Sequence, residues 1–119
     1  MEIFVAKSSG FCFGVKRAIT MAEKCSMETE GEIYTLGPII HNPQVVKGLE
    51  EKRIFAKKSL AEIAKGTVII RSHGVRLDEY EEAKAKGLKV VDATCPFVKK
   101  TQDYVRELSR DGYNVIVVG

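Results

Sequence analysis

Thr67-Val68-Ile69-Ile70-Arg71, followed at once by Ser72-His73-Gly74, is the stretch on which the fold turns. Val68, Ile69 and Ile70 leave no polar face. That is the pattern of a strand covered on both sides, as in a parallel sheet, rather than of a strand with one face in water. Working outward, Leu77–Lys86 reads as a helix closed by Gly87, and Lys89–Asp92 as the next strand. On the other side lie Ile33–Leu36, a strand, and Pro43–Lys52, a helix introduced by Asn42 as N-cap with proline at the first helical position. Arg53–Ala56 reads as a further short strand, and Ser59–Ala64 as a short helix capped by Ser59. Val15–Met27 carries Ala18, Met21, Ala22 and Cys25 on one helical face. Ile3–Ala6 and Val115–Val118 are apolar runs that read as outer strands, and Phe97–Arg110 is a helix ending near Gly112. The alternation gives an α/β fold: a mainly parallel sheet with flanking helices.

The length of 119 residues suits one domain. An apolar share of 45% against 29% charged excludes disorder and a disulfide-dense mini-protein. The net charge of +3 is too small to mark a nucleic-acid binder and is compatible with a small anionic ligand. No apolar run approaches the roughly 20 residues needed to span a bilayer. Met1–Ala6 has no basic stretch ahead of its apolar residues, so no secretory leader is expected. Three widely spaced cysteines argue against a disulfide framework and for a reducing compartment. The chain stops at Val115-Ile116-Val117-Val118-Gly119, which reads as a buried strand and the first residue of a turn, so more chain is expected beyond it.

The chemistry-bearing residues are few and share one kind of place. Cys12 follows Ile3–Ala6 and precedes a helix. His41 follows Ile33–Leu36, His73 follows Thr67–Arg71, and Cys95 follows Lys89–Asp92 just before Pro96. In a parallel sheet these turns open on the edge formed by the carboxyl ends of the strands, where α/β folds bind ligands. Gly10-Phe11-Cys12-Phe13-Gly14 allows close backbone approach to a bulky group. Helix N-termini favour anions, and the thiolate is the form of cysteine that ligates metal. Imidazoles beside helix starts suit a phosphate or diphosphate. Lys16-Arg17 and Lys99-Lys100 are candidates for attracting an anion. Cys25, on the apolar helix face, is expected to be core. There is no P-loop, no G-x-G-x-x-G after a strand and no C-x-x-C. Three readings stay open on the residues alone. They are a joint site at this rim, a stand-alone domain using two Cys and two His for zinc or simply binding phosphate, and a purely structural domain.

Four motifs carry a resemblance: Gly10-Phe-Cys-Phe-Gly-Val-Lys-Arg-Ala-Ile19, Ile40-His-Asn-Pro43, Ser72-His-Gly-Val75 and Asp92-Ala-Thr-Cys-Pro96. In order and spacing they resemble the N-terminal part of the 4-hydroxy-3-methylbut-2-enyl diphosphate reductases, the LytB/IspH family. The resemblance implies a three-lobed α/β reductase of the non-mevalonate isoprenoid pathway, with a 4Fe–4S iron–sulfur cluster held by three cysteines. It implies that Cys12 and Cys95 are the first and second ligands and that His41 and His73 bind the substrate diphosphate. It further implies that the third ligand and the proton-donor region lie beyond Gly119. On this reading residues 1–96 are the first lobe and 97–119 the start of a second. The chain is then an N-terminal fragment, inactive alone, of a cytoplasmic enzyme. Its partners would be an allylic diphosphate and an electron donor such as ferredoxin or flavodoxin, with neither nucleic acid nor membrane.

Overall fold

The computed structural model describes residues 1–118; the final Gly119 lies outside the described residues. Four strands form one wholly parallel sheet: β1 (Ile33–Leu36), β2 (Ile54–Lys57), β3 (Thr67–Ile70) and β4 (Lys89–Asp92), in the order β2-β1-β3-β4. Helix α1 spans Phe13–Glu28, α2 Pro43–Glu51, α3 Leu77–Ala85 and α4 Pro96–Arg110. The registers Ile33↔Ile54, Ile33↔Thr67 and Thr67↔Lys89 align the strands, so their carboxyl ends finish almost level.

The reading of Thr67–Ile70 as a strand covered on both faces is met. All four residues of β3 are buried, and neighbouring side chains belong to different cores. Ile69 packs with Ala18, Ala22 and Cys25 of α1 and Leu49 of α2. Val68 packs on the opposite face with Leu60, Ile63 and Ala83 of α3. The sheet is thus the middle of three layers. Ala18 and Ala22 are fully buried, and their small side chains bring α1 close to the strands. Burying an isoleucine such as Ile69 stabilises the fold by about 1.5–3 kcal/mol.

Local chemistry places the helix ends. Asn42 caps α2, its Oδ1 accepting from the N–H groups of Gln44 (3.0 Å) and Val45 (3.1 Å). The Glu79 carboxylate reaches back to accept from the Arg76 N–H at the start of α3 (3.0 Å). The expected helix Ser59–Ala64 is shorter, a 3-10 turn over Leu60–Glu62. There Glu62 accepts from the N–H groups of Lys58 and Ser59, and the segment then extends to bury Ile63.

Two expected strands are absent. Ile3–Ala6 pairs with nothing, and Ile3, Phe4 and Val5 are at least 75% exposed. Val115–Val118 is likewise unpaired and, apart from half-buried Val115, exposed rather than buried. Both have the composition of strands, but a strand forms only where a sheet edge receives its N–H and C=O groups. Neither the β2 edge nor the β4 edge does so here. Helix α4 contributes no residue to either core, and Phe97 and Tyr104 stand exposed along it. No helix among the described residues is long and apolar enough to cross a membrane.

The amino end of the sheet is tied at Gly66. The Thr67 N–H donates to the Glu32 carbonyl (2.9 Å), and the Lys89 N–H donates to the Gly66 carbonyl (3.1 Å). Gly66 holds φ +109°, and a Cβ there would run into the Glu32 carbonyl oxygen. Gly66→Ala is therefore expected to lower unfolding free energy by about 2 kcal/mol or more. A urea midpoint equal to that of the parent chain would refute this.

Candidate functional site: thiols and imidazoles at the carboxyl edge

The connections from β1 to β2 and from β3 to β4 run outward in opposite directions. The crevice between β1 and β3 is therefore the place where the strand order reverses, the ordinary ligand position of an open α/β sheet. The loop leaving β1 carries His41 and the loop leaving β3 carries His73. Their rings stack across this crevice with centroids 6.5 Å apart and 22° between the planes. Both residues are exposed, so their ring nitrogens are open to a ligand.

The two thiols reach the same edge by different routes. Cys95 follows β4 and is the N-cap of α4; its own N–H donates to the Ser72 carbonyl (2.8 Å). That bond ties the Cys95 turn directly to the residue before His73. Cys12 does not follow a strand, contrary to expectation, because residues 3–6 form none. It is the N-cap of α1 and comes to the site through the packing of that helix. The contact is intimate: a Cβ on Gly14 would lie 2.8 Å from Cys95 Sγ and 3.0 Å from its Cβ. Beside it the rings of Phe13 and Phe97 meet edge to face, with centroids 6.4 Å apart. The N-termini of α1 and α4 are thus drawn together.

Neither cysteine side chain makes a capping hydrogen bond, and both are free thiols. They remain available as soft ligands beside two helix N-termini. Cys25 is buried, with Sγ 3.6 Å from the Thr29 hydroxyl, roughly 20 Å along α1 from Cys12. It is core, as expected. The alternative of a Cys2His2 zinc site is not supported. Among the described residues, no group of three or more His, Cys, Asp and Glu side chains is placed to hold one metal ion.

Two of the basic residues expected to draw an anion brace the turns instead. Arg17 Nη1 donates to the Thr94 carbonyl (3.3 Å), and Lys99 Nζ pairs with Asp92 Oδ2 (2.6 Å). Asp92 Oδ1 accepts from the Thr94 N–H (2.9 Å), so this carboxylate shapes the turn that presents Cys95. Burial alone would raise the Asp92 pKa. The hydrogen bonds from Lys99 and Thr94, with the Lys99 charge, outweigh it and hold the carboxyl below its usual range.

Comparison with known proteins bears on the family and the fold. The sequence matches the family described as LytB protein over residues 3–119. The chain belongs to the LytB family. It is 60% identical over 119 residues to the 4-hydroxy-3-methylbut-2-enyl diphosphate reductases of Geobacter metallireducens and Geobacter sulfurreducens. All of this chain aligns, against 42% of each of those proteins. A solved (E)-4-hydroxy-3-methyl-but-2-enyl diphosphate reductase, described as the terminal enzyme of the non-mevalonate pathway, superposes with a TM-score of 0.85 at 50% identity. That superposition covers 98% of this chain and 42% of the other. The Plasmodium falciparum reductase gives a TM-score of 0.85 at 35% identity, over 90% of this chain and 34% of the other. This LytB chain therefore spans less than half the length of the relatives it matches.

Two outcomes test the site geometry. Gly14→Ala is expected to cost about 1–3 kcal/mol by overpacking and to change the labelling rate of Cys95 several-fold. Gly48→Ala, inside α2 with open space around it, is expected to gain about 0.5–1 kcal/mol. Equal effects of the two substitutions would show that the Gly14–Cys95 approach is not a constraint. For Asp92, a folded pKa below the unfolded one means that its contribution is complete above about pH 4 and lost as pH falls through the lower folded value. With Lys99 half exposed, the contribution is about 1 kcal/mol. Asp92→Asn is expected to remove that acid-dependent loss. An unchanged pH dependence of urea unfolding would contradict the assignment.

Proposed function

We propose that this chain is the part of a 4-hydroxy-3-methylbut-2-enyl diphosphate reductase that supplies two cluster thiolates, Cys12 and Cys95, and two diphosphate-binding imidazoles, His41 and His73. The observation that carries the reading is the stacked His41–His73 pair in the crevice, joined through the Ser72–Cys95 backbone hydrogen bond to a thiol at a helix N-terminus. The proposed reaction breaks the allylic C–O bond. Two electrons and two protons enter, the oxygen leaves as water, and isopentenyl or dimethylallyl diphosphate results.

The donor set fits an iron–sulfur cluster. Two uncapped thiols stand at helix N-termini that the Gly14–Cys95 approach draws together, and thiolates are the ligands such clusters take. When bound, a 4Fe–4S cluster would supply the reducing electrons and Lewis acidity toward the substrate hydroxyl. The protein's own part is positioning. Each imidazole can donate an N–H to a phosphate oxygen, and exposed rings on two loops grip the diphosphate from both sides of the crevice. Binding energy gathered on the diphosphate, remote from the C–O bond, holds the allylic end toward the thiols. Asp92, Arg17 and Gly14 hold the Cys95 turn in place for this. The chain's remaining cysteine is core, so on this reading the third ligand and the proton donor are not among its 119 residues. Its partners are an allylic diphosphate and an electron donor such as ferredoxin or flavodoxin, in the cytoplasm. The absence of buried residues in α4 supports the division into a first lobe, 1–96, and the start of another, 97–119.

Anaerobic reconstitution with iron and sulfide tests the reading. The 119-residue chain is expected to take up iron in a manner that falls several-fold in Cys12→Ser and Cys95→Ser but not in Cys25→Ser. It is expected to show no reduction of the allylic diphosphate. Iron uptake indifferent to Cys12 and Cys95 would overturn the ligand assignment, and turnover by the chain alone would overturn the need for groups outside it.

A further inference from the structure

Arg71 has no role in the site described so far. It is the first residue beyond β3, and Gly37 is the first beyond β1. The register Thr35↔Ile69, continued by two residues, sets Gly37 opposite Arg71 where the two strands part. The side chain leans across that gap. A Cβ on Gly37 would lie 2.9 Å from Arg71 Nη1, 3.4 Å from Cζ and 3.8 Å from Cδ. Gly37 keeps φ +73°, so it both turns the chain toward His41 and leaves the space the guanidinium fills. The guanidinium thus lies between the roots of the two loops that present His41 and His73.

Its hydrogen bonding is incomplete. Arg71 Nε is buried and has no partner among the described residues, and the same holds for Oγ of adjacent Ser72, a residue only 3% exposed. A buried donor without an acceptor is costly, and such orphans call for a ligand or a water. Two of them stand in succession immediately before His73. The other charged groups already engaged at this edge are spent internally, Arg17 on the Thr94 carbonyl and Lys99 on Asp92. Arg71 carries a charge that no carboxylate among the described residues neutralises through a salt bridge, in a fork geometry suited to phosphate oxygens.

We propose that Arg71 is an additional anion-binding residue of this site. Its guanidinium, seated over Gly37 in the crevice between β1 and β3, gives fixed positive charge to the diphosphate held by His41 and His73. The inference rests on the proposed diphosphate role of the two histidines and adds to it a cation that the motif resemblance does not contain. A residue that merely braced the loops would act on stability; a ligand-facing one acts on anion affinity and its salt dependence.

Titration of the 119-residue chain with inorganic diphosphate, followed by calorimetry and by the imidazole proton signals, separates the possibilities. Arg71→Gln is expected to weaken binding about tenfold or more and to reduce its salt dependence, while Arg71→Lys recovers most of the affinity. Gly37→Ala, which displaces the guanidinium, is expected to weaken binding with both histidines intact. Amide spectra report whether each variant keeps its fold, and Gly37→Ala carries the test if Arg71→Gln does not, unchanged binding there overturning the inference. Binding lost in His41→Ala and His73→Ala but unchanged in Arg71→Gln would overturn this inference alone. Failure of the parent chain to bind diphosphate at millimolar concentration would overturn it together with the histidine assignment.

Discussion

The pairing of β3 between β1 and β4, with β3 buried on both faces, is the constraint on which the rest of the molecule depends. Its backbone groups are consumed by neighbours on either side, and its side chains fill both cores. It can neither slide nor rotate, since a slip of one residue would exchange the two cores. Because β1 and β4 are fixed against it, the places where these three strands end are fixed too. Three of the four chemistry-bearing residues hang from those ends. The site is precise because it lies three to five residues beyond the most constrained part of the fold.

Much of this was legible in the sequence, for identifiable reasons. The run Val68-Ile69-Ile70 has no polar face and is satisfied in a covered strand, so β3 was readable, and the shorter apolar stretches of β1 and β4 were readable beside it. Asn42-Pro43 and Gly87 announce helix boundaries through capping chemistry that acts over two or three residues. The rim placement of His41, His73 and Cys95 follows from topology once the strands are parallel. Ile3–Ala6 and Val115–Val118 were misread because strand composition is a local property and strand formation is not: it needs a partner edge, and none in this chain receives them.

Other features were invisible for a different reason. The approach of Gly14 to Cys95 joins residues far apart in the chain, and nothing local marks a glycine as a contact surface for a distant thiol. Arg71 looked like the polar end of a strand; only the register reveals Gly37 opposite it and the missing partner of its Nε. Arg17 and Lys99 were read as candidates for attracting an anion. Their internal partners, a carbonyl and a carboxylate of the Cys95 turn, appear only when α1 and α4 are in place.

The tie between Cys95 N–H and the Ser72 carbonyl has a consequence for how this site can change over time. The bond is made entirely by main chain, as is its neighbour from Ala93 N–H to the Ile70 carbonyl. The distance between the imidazole loop and the thiol turn is therefore set without recourse to the side chains of Ser72, Ala93 or Thr94. Loss of the hydroxyl at Ser72 or Thr94 leaves both main-chain bonds in place, and with them the spacing between the two reactive groups. The dimensions of the site can thus persist while those two hydroxyls change.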